Sequence, residues 1–234
     1  MRFGICIPNF RRGTGPETML AATQTAERLG WHSAFATDHI LADSAPRAVD
    51  YRHIFEALAS IAWLAGQTTT IRLGMSVLVV PMRNALVLAK ELASIDALSD
   101  GRLIAGVGIG WNRNEFESLG AGERFTRRGT YLEETVALWR HLWAGGEGPY
   151  VGRFDSFEEG YFSPLPPQGA ELPIWIGATA ERALLRAGRI ADGYHSTRTD
   201  PAMMHERVRV VSEAAAVAGR PRPTMSARLT VDFS

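Results

Sequence analysis

Cysteine and lysine are almost missing from this sequence, and neither sign of charge prevails. Cys6 and Lys90 are the only residues of their types among 234, and 25 basic side chains balance 25 acidic ones. A single cysteine excludes an intrachain disulfide and a cysteine-based metal site, so we expect Cys6 to be a buried structural residue. Balanced charge provides no field that attracts nucleic acid or an anionic membrane. We therefore predict contact with neither.

Long apolar runs and several catalytic motifs are also absent. No run reaches the roughly 18 to 20 residues of a membrane helix, and the apolar part of MRFGICIPNF is too short for a signal peptide. The sequence has no HxH, HExxH or GxSxG, which argues against a metal site and a serine hydrolase. With 46% apolar residues, the chain can bury a sizeable core. We expect a cytoplasmic globular protein.

Strand and helix patterns alternate along most of the chain. Strand patterns occupy residues 2–8, 33–37, 71–80, 102–110, 173–178, 191–196 and 224–233. Helix patterns lie between them at residues 14–31, 54–67, 84–98, 130–145, 181–190 and 203–219. Residues 145–170, rich in glycine, proline and aromatics, form an excursion with a short hairpin. The alternation predicts parallel strands joined by right-handed crossovers, with residues 1–234 as one domain.

Seven strands are one short of a closed (β/α)8 barrel. The unbroken alternation and the lack of a switch-point fingerprint favour the barrel over a doubly wound sheet. We therefore expect an α/β fold, a TIM barrel without its eighth strand and last helix, whose third strand is interrupted at Gly74. The chain is a fragment, or a partner subunit fills the gap, or one strand has no recognisable pattern. Truncation is the explanation that we favour.

The end of the fourth strand, GVGIGW, looks like a phosphate loop and continues into a helical pattern. Gly106 and Gly108 have the first spacing of the dinucleotide-binding motif GxGxxG, but Trp111 takes the place of the third glycine. This mismatch excludes a dinucleotide site. Such glycines can make room for bulky neighbours inside a barrel. Because barrel active sites lie at the C-terminal ends of the strands, Gly108 and Gly110 can instead leave space for a flat ring.

Two other strand ends carry candidate functional groups. Asp38 and His39 follow the second strand, where an imidazole can serve as a general acid or base near neutral pH. Gly177, Ala178 and Thr179 lie between a strand and a helix, so the backbone N–H groups and the helix dipole can hold an anion. An ordinary turn with Thr179 as the helix N-cap explains the same residues.

Together these segments resemble the bacterial luciferase-like family of flavin and deazaflavin oxidoreductases. The resemblance covers nearly the whole chain. It is carried by FGICIPN, TDHIL, the stretch from IRLGMSVLVV to NEFESLG, ERFTRRGTYLEETVALWRHLW, FSPLPPQ and PIWIGATAERALLRAGRIADGY. The sequence is most similar to the branch of probable coenzyme F420-dependent oxidoreductases.

The resemblance implies that the tricyclic ring of the cofactor lies at the C-terminal rim of the barrel. By the same resemblance, Asp38 and His39 would lie at the ring and the substrate, and Gly108, Gly110 and Trp111 would flank the ring. The cofactor's phosphate would bind at Gly177, Ala178 and Thr179. A bulge with a non-prolyl cis peptide that supports the ring would fall at Ser76 and Val77. The sugar-phosphate dehydrogenase branch has a glutamate in place of Trp111, so that substrate is not carried over. Glu115 is an acid nearby.

The function implied is hydride transfer between F420 and a small, apolar organic substrate. His39 would exchange a proton with the substrate, and Asp38 would position His39 or the ring. An alternative is a monooxygenase that uses reduced FMN from a separate reductase, and a further alternative is a cofactor-binding protein without turnover. The resemblance also implies a homodimer, and we expect no metal.

Overall fold

The computed structural model describes residues 1–231, and its centre is a parallel sheet. The strands are β1 (Gly4–Cys6), β2 (Ser33–Ala36), β3 (Arg72–Met75), β4 (Leu78–Val79), β5 (Leu103–Gly108), β6 (Tyr150–Val151), β7 (Ser156–Phe157), β8 (Ile174–Gly177), β9 (Gly193–Thr197) and β10 (Thr224–Arg228). The main sheet runs in the order β1-β2-β3-β5-β8-β9-β10, and β4 pairs with β5. All of these pairings are parallel, which confirms the predicted topology.

The helices lie in the connections between strands, as predicted. They are α1 (Pro16–Arg28), α2 (Ala57–Ala65), α3 (Ala85–Leu98), α4 (Arg113–Ser118), α5 (Arg128–Trp143), α6 (Glu181–Ile190) and α7 (Pro201–Val217). A 3-10 helix, Pro46–Tyr51, lies between β2 and α2. Side-chain caps fix three helix starts, because Glu56, Asn84 and Asp200 each accept a hydrogen bond from an N–H of the first turn.

The barrel is open between β1 and β10. Within residues 1–231, no strand pairs with the outer edge of either one. The seven-stranded open barrel that we expected is therefore confirmed. The expected burial of Cys6 is wrong, because Cys6 lies on the edge strand and is exposed.

Apolar side chains pack on both sides of the sheet. The main core lies between the strands and the helices, and a smaller cluster of Phe35, Ile104 and Trp175 fills the barrel interior. Gly74 makes room for this inner cluster, since a Cβ there would lie 2.8 Å from the Phe35 ring. The prediction that Gly74 interrupts the third strand is wrong. β3 continues through Gly74, and the break falls at Ser76 and Val77, between β3 and β4.

The predicted excursion contains the antiparallel hairpin of β6 and β7. Glu134 on α5 anchors it by accepting hydrogen bonds from the N–H groups of Arg153 and Phe154. Among the residues described, no helix is both long enough and apolar enough to cross a membrane. Because the seven main strands are parallel, their C-terminal ends share one edge of the barrel, where the candidate residues lie.

Candidate active site at the C-terminal edge of the barrel

His39 and Glu115 form a buried pair at this edge. His39 follows β2 and Glu115 lies on α4, and His39 Nδ1 is 2.8 Å from Glu115 Oε2. The other carboxylate oxygen accepts hydrogen bonds from the N–H groups of Ile40 and Leu41, at 2.7 and 3.0 Å. The side chains of His39 and Glu115 are only 8% and 2% exposed. The carboxylate therefore fixes both the imidazole and the chain that follows it.

Glu115 sets the proton arrangement of His39. Burial alone raises the pKa of Glu115, but the hydrogen bonds from His39, Ile40 and Leu41 together lower it below its usual value. An ionised carboxylate can only accept, so Nδ1 carries the proton that it shares with Glu115. No residue in the described part of the chain is hydrogen-bonded to Nε2 of His39. In neutral His39, Nε2 is thus an acceptor free to take a proton.

Asp38 forms a buried ion pair with Arg83. Its side chain is fully buried, and Arg83 donates to both carboxylate oxygens at 2.8 Å. Val79 N–H donates a further hydrogen bond at 2.8 Å. Asp38 forms no hydrogen bond with His39 among the described residues, and its role in positioning His39 or the ring stays a prediction. Glu115 is the residue that hydrogen-bonds to His39.

Aromatic side chains surround His39. The Tyr51 ring, from the 3-10 helix, stacks on the imidazole with the centroids 4.2 Å apart. Trp111 presents its ring edge-on to His39, with the centroids 5.7 Å apart, and Arg47 lies 4.5 Å above the Trp111 ring. The structure therefore brings Trp111 and His39 together, and it adds Tyr51, which the sequence analysis had not singled out.

Val77 occupies the space beside the glycines. The Ser76–Val77 peptide is cis, at the position that the resemblance implies. A Cβ on Gly108 would lie 2.5 Å from a Val77 methyl, and one on Gly177 would lie 2.9 Å from another. At Gly110, which has φ +70°, a Cβ would meet Val79 and the Phe116 ring. The missing side chains of Gly108 and Gly110 therefore accommodate Val77, Val79 and Phe116, and the approach of a flat ring to these two glycines stays a prediction. The wall of the site at this point is Val77.

The turn after β8 leaves the start of α6 uncapped. α6 begins at Glu181 with Ala180 as its N-cap, and no side chain hydrogen-bonds to its first turn. The reading of Thr179 as the N-cap is therefore wrong. Ala178 is buried and Thr179 is exposed beside it. The open N–H groups at this helix start are suited to an anion.

His195 is a buried, neutral imidazole that is hydrogen-bonded between Ser76 and Ser226. The sequence did not reveal it as part of the site. His195 Nε2 is 2.8 Å from Ser76 Oγ, and Nδ1 is 3.0 Å from Ser226 Oγ. The imidazole also stacks on Phe35 at 5.8 Å. Burial, assisted by the positive charge of Arg228, lowers the pKa of His195 to about 4.

This shifted pKa predicts a stability that declines in acid. Between pH 6.5 and about 4 the unfolded chain binds a proton at residue 195 that the folded chain does not. Stability from this source is complete above pH 6.5 and falls as the pH drops, by up to about 1.4 kcal/mol per pH unit. In urea titrations from pH 7 to 4.5, His195→Asn should have a flatter dependence of unfolding free energy on pH than the wild type. The exposed His205→Asn is the control, and parallel curves for His195→Asn and wild type would refute the assignment.

No group of three or more histidine, cysteine, aspartate or glutamate side chains suited to a metal ion occurs in residues 1–231. The side chains at this edge are instead a hydrogen-bonded imidazole, aromatic rings and an uncapped helix start. They offer proton transfer, apolar packing and anion binding. A sequence model described as "Luciferase-like monooxygenase" matches residues 1–233.

The chain belongs to the luciferase-like monooxygenase family. Its relatives include the F420-dependent glucose-6-phosphate dehydrogenase of Microbacterium testaceum, which is 32% identical over 228 residues. That match covers 94% of this chain and 65% of the dehydrogenase, so the chain spans slightly less than two thirds of its relative.

Solved structures share the fold at lower identity. An F420-dependent secondary alcohol dehydrogenase, in complex with an F420–acetone adduct, has a TM-score of 0.84 at 19% identity. The alignment covers 97% of this chain and 68% of that one. A type II Baeyer-Villiger monooxygenase from Pseudomonas putida, in complex with FMN, has a TM-score of 0.81 at 17% identity, covering 97% and 66%. Both cofactor classes therefore occur on this fold.

Proposed function

We propose that this chain is a deazaflavin-dependent oxidoreductase that transfers hydride between coenzyme F420 and a small, largely apolar substrate. The observation that carries the proposal is the His39–Glu115 pair at the edge where barrel active sites lie, which leaves Nε2 of His39 without a hydrogen-bond partner among the described residues. The matches to F420-dependent dehydrogenases support the choice of cofactor. Trp111 argues against a sugar phosphate, because an indole offers no acceptor to sugar hydroxyl groups.

The residues at this edge fit such a cofactor. The uncapped start of α6, with Gly177, Ala178 and Thr179 before it, would hold the phosphate through backbone N–H groups. The Val77 side chain and the Ser76–Val77 peptide would back one face of the ring. When bound, the deazaflavin accepts or donates hydride.

His39 would move the proton that accompanies the hydride. When an alcohol is oxidised, its carbon loses hydride and its hydroxyl proton passes to Nε2, so that His39 becomes an imidazolium. The ionised Glu115 stabilises that positive charge through Nδ1. In the reverse direction, Nε2 returns the proton to the carbonyl oxygen.

Neighbouring side chains would shape the site. Tyr51 and Trp111 shield the imidazole from water and present an apolar surface to the substrate. Asp38, tied to Arg83 and Val79, would position the chain that carries His39 rather than touch the reacting atoms.

Incubation with small apolar alcohols tests this proposal. With oxidised F420 and no oxygen, the absorbance of the oxidised cofactor should fall in the presence of an accepted alcohol. The FMN-bound relative makes reduced-FMN monooxygenation the second candidate. Oxygen-dependent product formation with reduced FMN, and no reaction with F420, would favour it. Cofactor binding without either reaction would favour a binding protein.

Three expectations remain predictions: the homodimer, the separate reductase and the cytoplasmic location. Light scattering of the purified protein tests the homodimer.

A further inference from the structure

Arg228 places a positive charge inside the barrel mouth. It is the last residue of β10, and its side chain crosses to residues that follow β2 and β3. Nη1 donates to Thr37 Oγ1 at 3.1 Å and to the Ser76 carbonyl oxygen at 3.2 Å, with Ser76 Oγ at 3.4 Å. The residue is half-buried. All three acceptors are neutral, so the contacts fix the guanidinium without balancing its charge.

The titratable groups near Arg228 do not supply a negative charge. His195 shares Ser76 as a hydrogen-bond partner and is neutral above pH 5, since its pKa is about 4. Asp38 has both carboxylate oxygens on Arg83. Among residues 1–231, no carboxylate forms an ion pair with Arg228. The described part of the mouth therefore has a fixed positive charge without a counterion.

The remaining donors of Arg228 are available to a ligand. Its Nε and Nη2 groups have no acceptor among the described residues. A guanidinium offers parallel N–H donors that match a carboxylate or another planar pair of acceptors. A partly desolvated cation is stabilised by an anion that lies beside it. Arg228 thus has the geometry and the charge of an anion-binding residue.

We propose that Arg228 binds the negative charge of the ligand in the barrel mouth, supplied by the ring of a reduced cofactor or by a carboxylate of the substrate. The first source rests on the proposed function. A reduced flavin-type ring carries its charge along the edge of N1 and the adjacent carbonyl, which presents a planar pair of acceptors. Protein charge at that edge tunes the reduction potential of the ring. A carboxylate of the substrate can bind Arg228 without any bound cofactor.

Binding measurements on four proteins test the proposal. Wild type, Arg228→Gln, Arg228→Lys and Arg72→Gln are titrated with F420 and FMN, each oxidised and reduced, and with benzoate as a flat carboxylate. Arg72 is the matched control, because it is half-buried and donates to the neutral acceptors of Leu103 and Gln168 at the opposite end of the barrel. Melting temperatures with and without each probe give a second readout.

The two sources predict different results for Arg228→Gln. If the ring supplies the charge, Arg228→Gln should weaken reduced-cofactor binding at least tenfold relative to the oxidised form. A tenfold change in the ratio of reduced to oxidised affinity corresponds to a two-electron reduction potential of the bound cofactor that is lower by about 30 mV. If the substrate supplies the charge, the ratio of the affinities for reduced and oxidised cofactor stays constant, and the affinity for benzoate falls at least tenfold. Arg228→Lys should restore part of either loss, and Arg72→Gln should resemble the wild type.

Two results would overturn the proposal. One is that Arg228→Gln binds all probes as the wild type does, and the other is that Arg72→Gln weakens binding equally. If the wild type binds neither cofactor, the proposed function fails but the Arg228 assignment does not. Benzoate then decides alone, since unchanged benzoate binding in Arg228→Gln would refute it and a tenfold loss would support it.

Discussion

Arg83→Met is expected to lower the free energy of unfolding by about 3–5 kcal/mol, because it leaves a buried carboxylate without its counterion. Arg83 donates to both oxygens of Asp38, whose side chain is fully buried, and it also contacts Glu56. Burial alone lowers the pKa of Arg83, but these carboxylates raise it above its usual value. The pair ties the end of β2 to the segment after β4, and so it supports His39. Urea titration at pH 7 measures the change.

Two further variants separate this explanation from general damage. Asp38→Asn combined with Arg83→Met removes both charges and should recover part of the lost stability. Arg11→Met breaks a pair with Asp50 in which the side chains are 64% and 54% exposed, and it should cost less than about 1 kcal/mol. A loss in Arg83→Met no larger than in Arg11→Met would show that the buried pair contributes little.

The second large effect is expected on catalysis. His39→Ala should lower turnover of an accepted alcohol by about 10²–10⁴-fold, because it removes the group that takes the proton. Cofactor affinity should remain nearly unchanged, since we assign the phosphate to α6 and the ring to Val77. Steady-state rates and fluorescence titrations on the same preparations measure both quantities.

Glu115→Gln tests the same pair without removing the imidazole. An amide nitrogen facing Nδ1 favours the tautomer with its proton on Nε2, which cannot accept another. Turnover should therefore fall while His39 remains in place. The exposed His205→Ala is the control and should behave as the wild type. Unchanged turnover in His39→Ala would rule out its role in proton transfer.

The fold was readable from the sequence because strand and helix periodicities alternate clearly. The seven strands and the open barrel follow from that pattern. The break at Ser76 and Val77 was first located only through the resemblance, because periodicity alone pointed to Gly74. Gly74 remains within β3 since its missing side chain accommodates Phe35, a residue 39 positions earlier. No local pattern reveals such a contact.

The site was predictable only as far as strand ends reveal it. His39 and Trp111 were expected at one edge, and the structure brings them within contact. The partners of Asp38 and His39 were not predictable, since Arg83 and Glu115 lie 45 and 76 residues further along the chain. Arg228 is 191 residues from Thr37. The signal that the sequence offered for Glu115 was an acidic residue one helical turn after GVGIGW.

The proposed function depends most directly on the cofactor that the C-terminal edge of the barrel binds. Parallel fluorescence titrations of the 234-residue chain with oxidised F420 and oxidised FMN, in the same buffer, measure it. Arg182→Glu, which places a second acid in the first turn of α6, should weaken binding because it opposes the phosphate. We expect saturable binding of F420, weaker binding of FMN and reduced affinity in Arg182→Glu. Tight binding of FMN with no response to F420 would contradict the account.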